Sequence, residues 1–356
     1  MSANRVDTHF GCVLLGVFAG LVLLLNASLR SDEVDEKESS TKLDAFPNIA
    51  AKTMGGKQFW TDEMVRGDWR IQKHCVTGHY RLLDDQGVRK TWGKWEHCKQ
   101  EWDELDKAGQ LPALKKKVVL VLHGLVRSRD SMAGIAEFLA DEQEYSVLNL
   151  TYASTRLPIA DHAAALQRLI TRLEGVEEIS FVAHSMGNLV VRHFIGDQQI
   201  AARGLGIDPR IRRIVMLAPP NGGADLAKRF QNNVVFRVIF GTSGQQLGKQ
   251  WENLAGRLAV PPCDFGIIAG GAGDEEGRNP LLEGDDDMVV TVQETRLPGA
   301  RDFVVVPAYH TLIMDNPKVR EYTKRFLDKG HFISEAERQP IPADEAADKA
   351  ADGDTR

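Results

Sequence analysis

The chain has 356 residues, of which 43% are hydrophobic, 26% charged and 7% aromatic. These proportions are typical of a globular protein and exclude a chain that is disordered throughout. The net charge of −6 shows no excess of basic residues that would bind nucleic acid. Four cysteines are too few for a disulfide-built scaffold or a cysteine-rich metal site.

The N-terminal segment, residues 1–30, is predicted to be a membrane anchor or signal segment. Residues 10–25 read FGCVLLGVFAGLVLLL without a charge, and they reach bilayer-spanning length when extended to Leu29. The residues available at the cleavage position fit a signal peptidase poorly, which favours a retained anchor. Arg5 before the apolar run and acidic residues after it predict a body outside the cytoplasm, or an exported one if the segment is cleaved.

Two regions are predicted to lack a core of their own. Residues 31–58 are charged and rich in Ser and Thr, which is typical of a tether. Residues 333–356 are rich in Ala, Asp and Glu, which predicts a disordered acidic tail.

Residues 59–115 form a small Trp-rich unit between the tether and the main body. Their pattern predicts a β-hairpin that turns at residues 85–87, followed by a helix. Cys75 and Cys98 flank this hairpin almost symmetrically. A disulfide between them is therefore expected, with two separate buried thiols as the alternative.

Residues 116–332 alternate short apolar runs with amphipathic helical segments. The first run, VVLVLHG at 118–124, has no polar alternation, as expected of a strand covered by helices on both faces. Strands that alternate with helices predict an α/β fold with a doubly wound, mostly parallel sheet. The loops after the strands then gather at one edge of the sheet, where a functional site is expected.

The pentapeptide Ala183-His184-Ser185-Met186-Gly187 carries the sharpest functional signal. It ends a predicted strand and opens directly into a predicted helix. A serine between small residues in such a turn is typical of a nucleophile elbow, which exposes the hydroxyl above the helix N-terminus. The alternative is a serine that merely occupies a tight turn.

The neighbouring strand ends in His123-Gly124, where an oxyanion hole is commonly completed. The backbone N–H groups of Leu125 and Met186 are predicted to point at one substrate oxygen. His123 precedes the serine in the chain, so we expect it to support this loop rather than to catalyse.

Three motifs together resemble the α/β-hydrolase superfamily, in particular bacterial lipases and lipase-like serine esterases: VLHGL, AHSMGNLVVR and LAPPNGG, the last at 217–223. The resemblance covers about residues 116–330. It implies hydrolysis of lipid or small-molecule carboxylic esters through an acyl-enzyme intermediate, without cofactor or metal. It also implies the chain order nucleophile, acid, histidine.

That order places the histidine downstream of Ser185. His310 directly follows the last predicted strand, where a loop presents it over the serine. His193 lies within the elbow helix, and His331 follows the closing helix far from the strand ends. His310 is therefore the predicted general base.

The acid is predicted in the acidic loop before the last strand. The stretch DMVVTVQETRL resembles the family pattern with Asp287 at the acid position and Met288 in place of a glycine. Asp285 and Asp286 remain alternatives for the acid. Calcium binding by this loop is a further alternative.

Other functions remain open at this point. Residues 224–260 contain an apolar stretch, VVFRVIFG at 234–241, which predicts either a lid or acyl-binding wall or a core helix. The same catalytic set would also serve an amidase, a thioesterase or an acyltransferase. A binding protein that keeps the fold without chemistry is the non-enzymatic alternative.

Overall fold

A computed structural model of the chain describes residues 51–52, 57–141, 144–203, 206–230, 234–248 and 250–343. The predicted anchor, most of the predicted tether and the end of the predicted tail lie outside these residues. No helix in the described ranges is long and apolar enough to cross a membrane.

The residues before the main body form an antiparallel sheet of five strands, in the order β1-β5-β4-β3-β2. The predicted hairpin is confirmed as two of these strands, which join across residues 84–87. The strands are β1 (Ala51–Lys52), β2 (Trp60–Arg66), β3 (Trp69–His74), β4 (Tyr80–Leu83) and β5 (Val88–Gly93). The sheet thus starts inside the range predicted as a tether and extends well beyond a hairpin.

Helix α1 (Trp95–Lys107) follows this N-terminal sheet, as predicted, and packs against it. Its apolar face contributes Cys98, Trp102 and Leu105 to a small core that also contains Ile71 and Leu82. Trp102 is only 1% exposed. The helix therefore gives the sheet an apolar core of its own, which a two-stranded hairpin could not have.

The predicted Cys75–Cys98 disulfide is wrong, because both cysteines are free thiols. Cys75 lies in the turn between β3 and β4, where its N–H donates to the carbonyl oxygen of Phe59. Cys98 instead faces the small core from α1, and burial raises the pKa of its thiol to about 12. The two residues are not the matching ends of one hairpin, since β4 begins only at Tyr80.

The main body is built on a sheet of six parallel strands, in the order β11-β10-β9-β8-β6-β7, which confirms the predicted doubly wound architecture. Neighbouring strands pair in parallel throughout. The strands are β6 (Lys117–Leu122), β7 (Ser146–Asn149), β8 (Glu178–His184), β9 (Ile211–Leu217), β10 (Asp264–Gly271) and β11 (Asp302–Pro307).

Helices cover both faces of this sheet. Alternate residues of β6 show the division: Val118 and Leu120 join one apolar layer, and Val119 and Val121 join the other. The helices are α2 (Ala133–Asp141), α3 (Ile159–Thr171), α4 (Met186–Ala201), α5 (Asp225–Phe230), α6 (Val234–Leu247), α7 (Trp251–Ala255), α8 (Val292–Thr295) and α9 (Pro317–Lys329).

The strand order reverses at β6, and this reversal positions the site. Helix α2 follows β6 onto one face, whereas α4 follows β8 onto the other. The loops after these two neighbouring strands therefore diverge and leave a crevice at the carboxyl edge of the sheet, the usual place for a ligand in such folds.

The predicted tail boundary at residue 333 is wrong. Ile341 is 2% exposed and packs in the larger apolar layer. Its backbone exchanges hydrogen bonds with Ala300 and Gly299, each 2.9 Å long. Residues 333–343 thus belong to the packed body, because the apolar side chain of Ile341, between Pro340 and Pro342, is buried in its core.

Candidate active site

Ser185 lies at the turn between β8 and α4. Its backbone adopts φ 51° and ψ −125°, a strained conformation for a residue with a side chain. The Ser185 N–H donates to the carbonyl oxygen of Leu217 on the neighbouring strand at 2.9 Å, which holds the turn. The predicted strand, turn and helix at this pentapeptide are therefore present.

The turn leaves no room for larger side chains around the serine. A Cβ atom at Gly187 would lie 2.8 Å from the carbonyl oxygen of His123, and one at Gly124 would lie 3.0 Å from Nδ1 of His184. Glycine is required at Gly187 in particular, because the obstructing atom belongs to the backbone and cannot rotate away.

Asp287, His310 and Ser185 form one continuous chain of hydrogen bonds. His310 Nδ1 lies 2.7 Å from Oδ2 of Asp287, and His310 Nε2 lies 2.9 Å from Oγ of Ser185. Since a carboxylate only accepts, Nδ1 of His310 carries the proton and Nε2 is left to accept from the serine hydroxyl. This arrangement suits proton transfer from the serine to His310.

The loop itself fixes the orientation of the Asp287 carboxylate. Oδ1 of Asp287 accepts hydrogen bonds from the N–H groups of Val289 and Val290, at 3.0 and 2.8 Å. The N–H of His310 donates to the carbonyl oxygen of Asp287 at 2.9 Å. The side chain of Asp287 is fully buried, so these bonds replace water around it.

The two neighbouring carboxylates face away from His310. Asp285 accepts from the N–H groups of Ala272 and Gly273, and Asp286 accepts from those of Arg278 and Asn279. They therefore fold the loop rather than meet the histidine. Among the described residues, no group of three or more His, Cys, Asp or Glu side chains is arranged to hold a metal ion.

Met288 occupies the position at which the resembling pattern has glycine. Its φ of 86° lies in the region that glycine adopts readily and other residues adopt at a cost. The backbone conformation that favours glycine is thus retained although the residue has changed.

His184 directly precedes Ser185, and no local sequence signal marks it as a functional residue. Its Nε2–H donates to the carbonyl oxygen of His310 at 2.9 Å, and the two rings lie 4.8 Å apart. Burial, and then the proximity of His310, holds the pKa of His184 well below its usual range. His184 thus supports His310 while remaining neutral.

The loop of residues 123–127 lies beside Ser185 and contains the Leu125 N–H, which the sequence predicts as the second donor. Neither Leu125 nor Met186 has an acceptor for its N–H among the described residues. The carbonyl oxygen of Gly124 accepts from Nδ1 of His123 at 2.9 Å and from the N–H of Arg127 at 3.3 Å. Because a trans peptide directs its N–H opposite to its carbonyl, these bonds also fix the direction of the Leu125 N–H.

His123 itself is fully buried and supports the loop, as predicted for this position. Its ring stacks on Tyr152 with centroids 4.1 Å apart, and the Tyr152 hydroxyl donates to the carbonyl oxygen of His123. Burial lowers the pKa of His123 to about 4. A neutral imidazole at this position keeps positive charge out of the apolar layer below the loop.

The other downstream histidines take no part in this chain of bonds. His193 pairs with Asp197 one turn further along α4, at 3.0 Å. His331 follows α9, and the N–H of the next residue, Phe332, donates to Asp302 at the start of β11, at the edge of the sheet opposite Ser185. Two other contacts at the site, those of His184 and Gln58, join residues far apart in the sequence, and no local motif marks either residue.

Helix α6 contains the stretch that predicts a lid, an acyl-binding wall or a core helix. The helical geometry is broken at Gly241, whose φ is 59°, and the N–H of Thr242 donates to the carbonyl oxygen of Thr155 at 3.2 Å. Ser243 Oγ donates to the carbonyl oxygen of Leu157 at 2.6 Å. The second half of α6 is thus tied to the segment after β7, at the same edge of the sheet as Ser185.

A family model described as "Alpha/beta hydrolase of unknown function (DUF900)" matches residues 135–240. No curated protein matches the chain. The topology of the parallel sheet and this family model support an α/β-hydrolase fold for the main body.

Several solved structures are similar to the chain at low sequence identity. Lipase BlEst2 of Bacillus licheniformis in its mature form is 17% identical, with a TM-score of 0.43, over 62% of this chain and 93% of that one. Phospholipase PlaB of Legionella pneumophila, in complex with thio-NAD, is 17% identical, with a TM-score of 0.40, over 51% and 44%. A thermophilic esterase of Thermogutta terrifontis is 17% identical, with a TM-score of 0.38, over 60% and 90%.

Proposed function

We propose that the protein is a serine hydrolase that cleaves carboxylic esters through an acyl-enzyme intermediate. The hydrogen-bonded chain Asp287–His310–Ser185, with Ser185 at a strained turn above a helix N-terminus, is the observation that carries this proposal. Ser185 is the nucleophile, His310 the general base and Asp287 the residue that orients the imidazole.

The reaction proceeds in two halves. Ser185 Oγ attacks the ester carbonyl carbon while His310 Nε2 takes the hydroxyl proton, and collapse of the tetrahedral intermediate returns that proton to the leaving alcohol. Water then attacks the acyl-enzyme with His310 again as base, and the acid product leaves. Asp287 holds the tautomer with Nδ1 protonated throughout.

The oxyanion is bound by the N–H groups of Leu125 and Met186. Both donors are backbone groups in fixed positions, so they need little reorganisation as negative charge develops. Met186 is the first residue of α4, and the positive end of the helix dipole adds to its effect.

An exposed apolar rim supports a lipid-like ester as substrate. Large hydrophobic side chains are exposed on the two loops that carry Asp287 and His310: Leu281, Met288, Tyr309 and Leu312. The guanidinium of Arg278 lies over the Tyr309 ring, 4.4 Å from its centroid. Apolar side chains mixed with arginine suit contact with an acyl chain and its polar headgroup.

The proposal includes attachment to a membrane. Residues 1–30 would anchor the chain with its catalytic body outside the cytoplasm, or would direct export if they are cleaved. The apolar run FGCVLLGVFAGLVLLL and its flanking charges support this part of the proposal.

Labelling with a fluorophosphonate and hydrolysis of p-nitrophenyl esters of increasing chain length test the proposed function. The wild-type protein should be labelled, and the preferred chain length should report the acyl group. Ser185→Ala should abolish labelling and lower kcat roughly 10⁴-fold or more. Ser131→Ala, which changes a serine outside the site, is the matched control. Labelling that persists in Ser185→Ala would refute the assignment, and turnover of amides or thioesters above esters would change the reaction class.

A further inference from the structure

A side chain from the turn just before β2 contacts the 123–127 loop. Gln58, which precedes β2, donates from Nε2 to the carbonyl oxygen of Arg127 at 2.8 Å and to that of Val126 at 3.4 Å. Its Oε1 accepts from the hydroxyl of Ser154 at 3.3 Å. With carbonyl acceptors on one side and a hydroxyl donor on the other, the amide has only one orientation that satisfies all three partners.

The loop needs such support because part of its backbone is strained. Val126 has φ 62°, in the left-handed region, which is unfavourable for a β-branched residue. Strained conformations persist where surrounding contacts determine them. Gln58 holds the carbonyl oxygens of Val126 and the next residue, and so opposes relaxation of the turn that orients the Leu125 N–H.

A second contact ties the same loop to the catalytic histidine's loop. Arg127 donates from Nη2 to the carbonyl oxygen of Thr311 at 2.6 Å, one residue after His310. A shift of Arg127 would therefore move the Leu125 N–H and the His310 loop relative to each other. Gln58 fixes the backbone of the residue that makes this connection.

The N-terminal sheet presents Gln58 from a firmly docked position. Asp62 on β2 accepts from the N–H of Thr151 at 2.7 Å, and its own N–H donates to the Thr151 carbonyl oxygen at 2.9 Å. The buried carboxylate of Glu63 pairs with Arg168 and Arg172 at 2.7 and 2.9 Å. These directional contacts fix β2, and with it the residue just before the strand, relative to the main body.

We infer that Gln58 is a positioning residue for the oxyanion hole, so that the N-terminal sheet is part of the machinery of ester hydrolysis. This inference rests on the proposed function above. Gln58 acts on the transition state through Val126, Arg127 and the Leu125 N–H, without touching substrate. Its loss should lower kcat more than it changes KM, because an oxyanion donor binds the transition state more strongly than the substrate.

The test uses the full chain with Gln58→Met, which keeps the length of the side chain but removes its donor, and Gln58→Ala. A displacement of about 1 Å in an active site costs up to about 10²-fold, so we expect kcat on a p-nitrophenyl ester to fall about 10-fold. KM should change less than twofold. A trifluoromethyl ketone, whose serine adduct places an oxyanion in the hole, should bind more weakly by the same factor as kcat falls.

Two further variants separate positioning from general stability. Ser154→Ala removes the partner of Gln58 Oε1 and should lower kcat in the same direction by a smaller factor. Gln86→Ala, in the exposed hairpin turn of the same sheet, should leave kcat and ketone binding unchanged. Melting temperatures of all variants identify any that are unfolded at the assay temperature.

The outcomes distinguish this inference from the proposed function. If the wild type neither hydrolyses esters nor reacts with fluorophosphonate, the proposed function fails. If the wild type is active but Gln58→Met keeps kcat and ketone affinity within twofold, the positioning role is refuted. A fall in kcat with unchanged ketone affinity would refute it too, because the oxyanion hole would then be intact.

Discussion

The buried side chains of the six-stranded parallel sheet are mostly apolar. In contrast, the buried side chains of β2 in the N-terminal sheet include the polar residues Thr61, Asp62 and Glu63. In β6, the residues from Val118 to Leu122 are all at most 1% exposed and all apolar. In β2, the carboxylate of Asp62 accepts from Arg70, Gln72 and the Thr151 N–H. The parallel sheet is thus packed by an apolar core, whereas β2 adds a buried hydrogen-bonded network to the small apolar core of the N-terminal sheet.

The two sheets contribute to the site in different ways. Apolar burial stabilises strongly but has no preferred direction, so it favours compactness more than orientation. Charge-assisted hydrogen bonds have strict geometry and favour one arrangement of the elements that they join. The parallel sheet therefore provides the stable carboxyl edge on which the site lies. Strand β2 fixes the orientation of Gln58, which contacts the 123–127 loop of the site.

After the loss of Ser185 itself, replacement of Asp287 should have the largest effect on catalysis. Asp287→Asn loses the acceptor that selects the His310 tautomer, so kcat should fall roughly 10²–10⁴-fold. Ester hydrolysis under saturating substrate measures this loss, and the melting temperature reports on folding.

Asp285→Asn and Asp286→Asn are the matched controls for that change. Asp286 is fully buried and accepts three backbone N–H groups, those of Arg278, Asn279 and Met288. Its replacement should lower the melting temperature and affect kcat far less than Asp287→Asn does. A larger loss of kcat at Asp285 or Asp286 than at Asp287 would contradict the assignment of the acid.

Replacing Asp62 should break the network in β2 and act on stability. Asp62 and Arg70 are each 3% exposed, so Asp62→Ala removes the buried carboxylate that pairs with Arg70 and leaves the largely exposed Asp68 as the ion-pair partner of Arg70. The same change leaves the Thr151 N–H without its acceptor. Removing one partner of a buried pair typically costs about 3–5 kcal/mol, and we expect the free energy of unfolding to fall by about 3 kcal/mol.

Lys99→Ala provides the contrast, because it removes an exposed ion pair with Asp103 on α1. Exposed pairs contribute little, so urea unfolding of this variant should differ from wild type by less than about 0.5 kcal/mol. Equal losses for Asp62→Ala and Lys99→Ala would show that the network in β2 does not stabilise the sheet.

The two sheets also differ in how far the sequence predicts them. Several strands of the parallel sheet contain continuous apolar runs, such as VVLVL in β6, because both faces of the sheet lie against helices. Strand β2 reads WTDEMVR, with polar residues at consecutive positions and a register shift between Asp62 and Met64. Period-two alternation therefore fails there, and the burial of these polar residues is explained by their tertiary partners, among them Arg70, Arg168 and Arg172.

The candidate site shows the same limit. Ser185, His310 and Asp287 were predicted as a set because a turn motif, a chain order and a loop pattern mark them locally, and the structure brings their side chains together. His184 and Gln58 are marked by nothing local. Their contacts join residues 126 and 69 positions apart, and such contacts depend on how whole elements pack.

A buried histidine between the two sheets predicts a pH-dependent stability. His162 on α3 lies 4.9 Å from the Tyr152 ring, and burial, with a smaller contribution from His123, lowers its pKa to about 3. In the unfolded chain, His162 binds a proton as the pH falls below about 6.5, whereas in the folded state it stays neutral down to about pH 3. Stability should therefore fall as pH decreases through this window, by up to about 1.4 kcal/mol per pH unit for this group.

His162→Gln removes the titrating group, so the free energy of unfolding should depend less steeply on pH between about 6 and 4. The slope is the measured quantity, which separates the protonation effect from any constant loss of packing. His97→Gln changes an exposed histidine and serves as the control. An unchanged slope in His162→Gln would show that His162 does not stay neutral in the folded state over this range.

The smallest effect is expected at Met288, where the loop that carries Asp287 keeps a conformation suited to glycine. Its φ is 86° and the residue is 36% exposed, so Met288→Gly relieves backbone strain and gives up the packing of a partly exposed side chain. Relief of about 1–2 kcal/mol is offset by the roughly 0.5–1 kcal/mol of entropy that glycine loses on folding. We expect a net stabilisation below about 1 kcal/mol. Met288→Ala removes the same side chain but retains the Cβ atom, so the difference between the two variants in urea unfolding isolates the backbone contribution. If Met288→Ala were as stable as Met288→Gly, the gain would come from the lost side chain, and the loop around the acid would carry no strain at this residue.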